Sequence, residues 1–288
     1  VFTALRRSHK VGGLAYMQDI HSHQLTEKLI HLEDKKVKNI KSNWFRSTAA
    51  ENVSVEMVIK KSKEWFLQSH RNKIEHIEDF TNTDFTYGCT DYIDNFFAKE
   101  RKFQTLSNEY SYYSLFGIKP TALNVLEEHT PVIVSLPNYF HGNTRPDWDI
   151  FLKECEKKHI DVHIDAAWYT ATKGFNLDAG HPNIKTIALS ITKSGFEWNK
   201  FGIRLSKQKT TDPITIRNHH KSWINQNTLN CANYILDNIT VDHAWDTHEN
   251  NYNFICEKLN LEKTSFIHVA KQNGKTVGVA KILEKIIQ

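Results

Sequence analysis

An α/β fold, with a mostly parallel central sheet flanked by helices, is predicted for this chain by three consecutive stretches. Pro131-Val-Ile-Val-Ser-Leu136 is a short run rich in β-branched residues, the pattern of a strand buried on both faces. Pro146-Asp-Trp-Asp-Ile-Phe-Leu-Lys-Glu-Cys-Glu-Lys-Lys158 then sets Trp148, Phe151, Leu152 and Cys155 at helical spacing, with charges on the opposite face. Ile160-Asp-Val-His-Ile-Asp-Ala-Ala-Trp-Tyr169 returns to an alternating apolar run. A strand, a helix and a strand in this order leave the two strands parallel. Residues 184–190 form a second apolar run of the same kind.

The remaining elements follow in chain order. Within residues 1–44, Leu25, Leu29, Ile30 and Leu32 lie among Lys, Glu and Asp, so an amphipathic helix is expected behind an irregular arm. Residues 52–68 fit a second helix: Val55, Val58, Ile59, Trp65 and Phe66 share a face, Ser54 is the N-cap, and Glu56 lies in the first turn. Residues 85–97 pass from an extended run into a helix with an apolar face of Ile93, Phe96 and Phe97. Gly88, Cys89 and Thr90 form the corner, which places backbone N–H groups and a hydroxyl at a helix N-terminus, a ready anion site. Residues 102–106 are expected as a strand and 109–113 as the start of a helix. Asp212-Pro-Ile-Thr215 opens a long helix towards Asn238, with Asp as N-cap and Pro at the first helical position. A further helix is expected near 241–259, then two strands, or a strand and a helix start, at 266–270 and 276–280. The chain accordingly divides into an N-terminal arm and helix (1–44), a large domain (45–211) and a small C-terminal domain (212–288).

Composition narrows the function. At 288 residues, 40% hydrophobic and 24% charged, the chain is long enough for one large core and a smaller lobe, and disorder is not expected. The net charge of +4 comes from scattered lysines rather than a basic block interleaved with aromatics, so nucleic acid is not an expected partner. No apolar stretch reaches the ~18 residues that cross a bilayer, and no apolar signal core is recognisable near the start. The chain opens on Val rather than Met, which leaves room for residues upstream. Cys89, Cys155, Cys231 and Cys256 lie far apart and are expected as reduced thiols of a cytoplasmic protein. Sixteen histidines raise the question of metal, but His21/His23 and His219/His220 are too close in sequence to share an ion from a regular element, so no metal site is expected.

The chemistry concentrates at two strand ends. The 160–169 run delivers Asp165 to the C-terminal edge of a buried strand, where open α/β sheets bind ligands. The 184–190 run ends in Ser190-Ile-Thr-Lys193 at the same kind of edge, and Phe201-Gly-Ile-Arg-Leu205 follows. The ordered set Gly88/Thr90, Tyr110, Asn138, Asp165, Ser190, Lys193 and Arg204 resembles the pyridoxal-phosphate (PLP) enzymes of the aspartate-aminotransferase fold, fold type I.

That resemblance implies a role for each residue. Gly88, Cys89, Thr90 and Ser190 would cradle the cofactor phosphate. Arg204 would fork onto it, with Lys200 as the second candidate because the stretch from Lys193 to Arg204 is long for the family and implies a local insertion at 196–200. Tyr110, or its neighbours Tyr112 and Tyr113, would stack on the ring. Asn138, or Asn143, would donate to the phenolic oxygen, with Gly142 closing the turn. Asp165 would keep the pyridine nitrogen protonated, Ala167 would let the ring lie flat, and Trp168 replaces the family's usual Tyr. Lys193 would be the Schiff-base lysine and proton shuttle.

The implied function is an aminotransferase passing an amino group from a small amino donor to a keto acceptor, as a homodimer with a small C-terminal lobe shorter than the family usually has. Asp-Ala-Ala-Trp168 also resembles the glutamate-decarboxylase group, which carries His where this chain has Thr192. Arg217 is the only Arg after Arg204, so the clamp for a substrate carboxylate is not identified. A PLP-dependent decarboxylase or lyase, and a non-catalytic protein of the same fold, are the alternatives.

Overall fold

The computed structural model describes residues 25, 32–46, 53–100, 102–138, 140, 143–196, 199–220 and 223–287. Its main sheet has six described strands in the order β2 (Asn82–Thr86), β8 (Gly202–Ser206), β7 (Ile184–Ser190), β5 (Val162–Ala166), β4 (Val132–Ser135) and β3 (Gln104–Thr105). Strands β3, β4, β5 and β7 are parallel, and β8 runs antiparallel to both of its neighbours. Helix α4 (Trp148–Lys157) makes the crossover from β4 to β5, with Trp148, Phe151, Leu152 and Cys155 buried as their spacing requires.

Strand direction decides what meets at the sheet edge. β2 runs with β7, so both end at the edge where β8 begins: Gly202 pairs with Thr86 on one side and with Ser190 on the other. Helix α3 (Gly88–Lys99) starts at that edge, two residues beyond β2. On the parallel side, Ser135 pairs with Asp165 and Asp165 with Ala188.

Period-two alternation divides the sheet's side chains between two packing faces. Val132, Val134, Ile164, Ile187, Ile203 and Leu205 pack in one core with Val58, Trp65 and Phe66 of α2 (Val55–Leu67), with α4 and with α6 (Gln226–Asn238). Ile133 and Ala188 face the other way, towards Tyr92, Ile93 and Phe96 of α3. A second lobe comprises α7 (His243–Lys258), the antiparallel β9 (Glu262–Lys263), β10 (Val269–Gln272) and β11 (Lys275–Gly278), and α8 (Ala280–Ile287). Its core of Trp245, Tyr252, Phe266 and Leu283 also takes in Leu32 and Trp168. A two-stranded parallel pair, β1 (Lys73–Glu75) with β6 (Asn176–Asp178), lies outside the main sheet.

Three expectations need correction or placement. The long helix from Asp212 is broken into α5 (Pro213–His219) and α6. Asp212 caps α5 by accepting the Thr215 N–H, but Asn225 opens a new helix by accepting from Asn227 and Thr228 N–H. The reason for the break is tertiary: Asn218 bonds both the N–H and the carbonyl of Phe85, tying α5 to edge strand β2, while α6 turns to pack on α2, where Trp65 donates to Ile239 O at 2.7 Å. Both α5 and α6, assigned from the sequence to the C-terminal unit, thus pack with the large sheet. Residues 111–116 form a 3₁₀ turn ended by Gly117 rather than an α-helix. The first described helix is α1 (Lys35–Arg46), and the amphipathic run at 25–32 lies outside the described residues except for Leu25 and Leu32.

Candidate active site

The edge built by β2, β4, β5 and β7 opens into a cavity of about 170 Å³. It is lined by Gly88, Cys89, Thr90, Ile93, Tyr110, Ser135, Asp165, Ala167, Trp168, Ser190, Thr192, Lys193 and Lys200. Among the described residues, ten named for the site by the sequence therefore line one space: Gly88, Cys89, Thr90, Tyr110, Asp165, Ala167, Trp168, Ser190, Lys193 and the second phosphate candidate Lys200.

Asp165 sits at the floor, 4% exposed, near the end of β5. Its Oδ1 accepts the Ala167 N–H at 3.0 Å and its Oδ2 the Tyr113 hydroxyl at 3.2 Å. Burial pushes the Asp165 carboxyl above its ordinary range, and the Ala167 N–H, Cys89, Tyr113 and the charge of Lys193 pull in the other direction. Lys193 lies on the 3₁₀ turn after β7, with its Nζ 4.5 Å from the centroid of the Trp168 ring. That distance is within the range of a cation–π contact, which helps to order the ammonium. Tyr110 is 38% exposed at the rim and stacks on Tyr112.

One end of the cavity is a nest of donors. Gly88 opens α3 at φ +75°, a left-handed conformation in which a Cβ would approach Ser190 Oγ, Thr192 Oγ1 and Lys200 Cβ at 3.4–3.6 Å. Ser190 Oγ and Thr192 Oγ1 are 2.7 Å apart, and Ser190 Oγ also accepts the Thr192 N–H at 3.1 Å. Two hydroxyls and a helix N-terminus thus face one small volume, with Lys200 also in its lining, a donor set that suits an oxyanion.

Arg204 is not part of it. It lies in β8 and is 2% exposed, with its guanidinium bonded to Asp84, Asp212, Thr210 and Thr215. The cause is strand direction: β8 begins at the cavity edge with Gly202 and runs away from it, so a residue two positions on stands roughly 7 Å further down the sheet. Lys200, just before β8, stays at the edge. Asn138 is also turned away from the cavity: its Nδ2 bonds Asn108 O at 3.1 Å and Glu109 Oε2 at 3.3 Å, and its Oδ1 accepts the Phe140 N–H. Asn143 Nδ2 bonds Lys173 O, and Gly142 lies outside the described residues. Arg217 forks onto Asp91 in the first turn of α3 and stacks over Tyr87, so its guanidinium is occupied.

Two residues at the site, Thr192 and Ser135, have no role assigned from the sequence, and Tyr113 has a different one from that expected. Thr192 was read only as the absence of a His, yet it completes the hydroxyl pair. Ser135 ends β4 and reaches the cavity because β4 and β5 pair in register. Tyr113 was weighed only as a stacking ring; it is fully buried and links Ser135 to Asp165. Any signal for Ser135 lay in its position as the last residue of a buried strand.

Neither a protein-family model nor a curated protein matches the sequence. Solved structures do match in shape. The alanine aminotransferase of Pyrococcus furiosus superposes with a TM-score of 0.58 at 11% identity, covering 93% of this chain and 80% of that one. The fold is the aminotransferase fold. Other proteins sharing it include the PLP-bound C-S lyase of Staphylococcus hominis, with a TM-score of 0.60 at 10% identity and coverage of 84% and 72%. The L-threonine-O-3-phosphate decarboxylase of Porphyromonas gingivalis has a TM-score of 0.53 at 11% identity, with coverage of 83% and 79%. The aminotransferase fold thus serves amino transfer, C–S cleavage and decarboxylation in these neighbours, so fold alone does not choose a reaction.

Proposed function

We propose that the cavity binds pyridoxal 5'-phosphate and that the chain is a PLP-dependent enzyme, with amino transfer the reading favoured. The observation that carries this is the convergence of a lysine, a buried aspartate and an oxyanion nest on one cavity. The residues present fit the group. Gly88, Thr90, Ser190, Thr192 and Lys200 suit its phosphate, Asp165 its pyridinium nitrogen, Ala167 and Trp168 its ring, and Lys193 its aldehyde carbon.

When bound, PLP supplies an aldehyde that captures an amine and a ring that accepts the electron pair released at the substrate's α-carbon. The chain's residues do the rest. Asp165, held by the Ala167 N–H and the Tyr113 hydroxyl, keeps a proton on the ring nitrogen. The buried Tyr113–Ser135 pair keeps that carboxylate from turning. Lys193 supplies the amine that holds the cofactor and then moves a proton at the α-carbon. Gly88, Ser190 and Thr192 would hold the phosphate at the other end of the cavity.

Thr192 in place of the His of the glutamate-decarboxylase group favours transfer. Asp165-Ala-Ala-Trp168 favours a second reading, decarboxylation or elimination on the same cofactor. A homodimer belongs to the proposal, motivated by the exposed Leu115 and Trp223 and tested by light scattering. A reducing compartment fits the four cysteines, which are buried free thiols. Among the described residues no helix is long and apolar enough to cross a membrane.

The test is to add PLP, reduce with borohydride and map the modified peptide, with Lys193→Ala alongside. A cofactor mass on the Lys193 peptide, absent from the variant, is expected. No adduct on folded protein would overturn the assignment and leave the non-catalytic alternative. Keto product formed in step with an aminated acceptor would then identify a transferase, and product formed without an acceptor a lyase or decarboxylase.

A further inference from the structure

A second cluster of chemically capable side chains lies away from the cavity, where the N-terminal segment meets the second lobe. Asp34 stands immediately before α1, and its Oδ1 caps that helix by accepting the Val37 N–H at 2.8 Å. Its Oδ2 points the other way, at two imidazoles of α7. His243 Nε2 lies 2.5 Å from it and His248 Nε2 2.8 Å. The three residues are 4%, 8% and 2% exposed, and their ligand-capable atoms all lie within 4.8 Å of one another.

We propose that Asp34, His243 and His248 form a binding site for a divalent transition-metal ion of the zinc type. The donor set decides the class. Two imidazole nitrogens and one carboxylate oxygen suit Zn²⁺ and ions of similar softness, whereas Ca²⁺ and Mg²⁺ take oxygen shells that two histidines do not supply.

The rear of two ligands is already anchored, as metal ligands require: Asp34 by the Val37 N–H and His243 by Thr247, whose Oγ1 is 3.1 Å from Nδ1. Thr247 Oγ1 and Asp34 Oδ2 flank the two ring nitrogens of His243, and an ion bound at Nε2 would replace the proton shared there with the carboxylate.

The fit needs a small opening of the cluster. Donors on a tetrahedral ion with bonds of about 2.0–2.1 Å lie roughly 3.3 Å apart, so each ring has to withdraw by about half an ångström to one. Side-chain rotation of His243 and His248, on the first turns of α7, would have to supply that. The ion would then pin the segment at Leu32–Asp34 to the second lobe. That segment already bonds His268 through the Leu32 N–H at 3.3 Å, and it presses on Gly195, where a Cβ would stand 2.2 Å from Leu32 O. The assigned role is structural: Leu32, two residues before Asp34, touches Gly195 at the end of the turn that carries Lys193.

The experiment uses tag-free, chelator-stripped full chain without PLP. It is titrated with Co²⁺, read by its visible d–d absorption, and with Zn²⁺ in competition with a chromophoric chelator. One equivalent is expected, with a rise in Tm that Ca²⁺ and Mg²⁺ do not produce. His243→Gln, His248→Gln and Asp34→Asn should each weaken it at least about tenfold, while the His219→Gln/His220→Gln double variant should not. Unchanged affinity in all three ligand variants, or no binding by the unmodified chain, overturns the proposal. Because a variant of a buried cluster can fail to fold, crystals of the unmodified chain grown with Zn²⁺ give the independent reading. An anomalous difference peak between the three side chains supports the site, and a peak elsewhere only, or none, rejects it.

Discussion

Lys200 and Arg204 are four positions apart, but one lies at the cavity edge and the other is enclosed by Asp84 and Asp212. Their substitutions should therefore separate. Lys200→Ala is expected to leave unfolding by denaturant unchanged and to weaken PLP binding by about ten- to a hundredfold, the worth of a charge-assisted contact. Arg204→Met should do the reverse: it strands two buried carboxylates and costs about 3–5 kcal/mol of stability. Loss of PLP affinity in a fully folded Arg204→Met protein would return the phosphate role to Arg204.

Glu109 carries the clearest pH dependence. It is buried, its Oε2 accepts the Ser135 N–H at 2.7 Å, and Arg145 lies 3.3 Å from Oε1. Burial pushes its carboxyl up to about 7, against the pull of that N–H and the guanidinium. The folded protein thus holds the proton more tightly than the unfolded chain. The stabilisation is complete below the ordinary value of 4.5 and is lost as pH rises to about 7. Its full size is about 3 kcal/mol. Thermal unfolding followed across that window should show the loss in the unmodified chain and not in Glu109→Gln, whose amide does not titrate. Equal pH profiles would rule Glu109 out as the source.

At the scale of elements, helix starts are set by side chains that satisfy the first N–H groups, and breaks by what the chain must reach next. Asn225 accepts from Asn227 and Thr228 and so decides that α6 is a separate helix. Asn225→Ala is expected to cost about 1 kcal/mol, read as a lower denaturant midpoint with an unchanged slope. A change in slope would mean that the break between α5 and α6 shapes the unfolded or native ensemble rather than one cap. The corner of β2 and α3 follows the same logic: a residue with a side chain at Gly88 would need both a left-handed φ and room beside Ser190 and Thr192.

At the scale of the whole molecule, the main sheet and the second lobe have separate apolar cores that share the wall of the candidate site, since Trp168 packs with the second lobe's Phe266 and His268 while facing Lys193. A ligand in that cavity ties the cores together. Saturation with PLP at about a hundred times its Kd should add ~2.7 kcal/mol and raise Tm by about 4–5 °C. The rise should shrink in Lys193→Ala, and an equal rise in both proteins would mean that PLP binds elsewhere.

Local sequence was sufficient for most of the sheet strands, for the helices at 55–67 and 148–157, and for two of the chemical groups. Apolar periodicity reports burial directly, so the strands of Asp165 and Ser190 and the inward face of α4 were legible without a partner in view. Residues at the C-terminal ends of parallel strands meet at one edge whatever the details, which is why Asp165 and Lys193 could be paired from sequence. What required tertiary structure was anything that depends on direction or on distant chain. The antiparallel run of β8 takes Arg204 from the phosphate end and leaves Lys200 there. The side chain of Asn138 is claimed by Asn108 and Glu109, and the helix after Asp212 breaks because Asn218 is bound to β2. Asp34 meets His243 and His248 across 209 and 214 positions of sequence, and at that separation no local pattern records a contact, because only the packing of one lobe on another creates it.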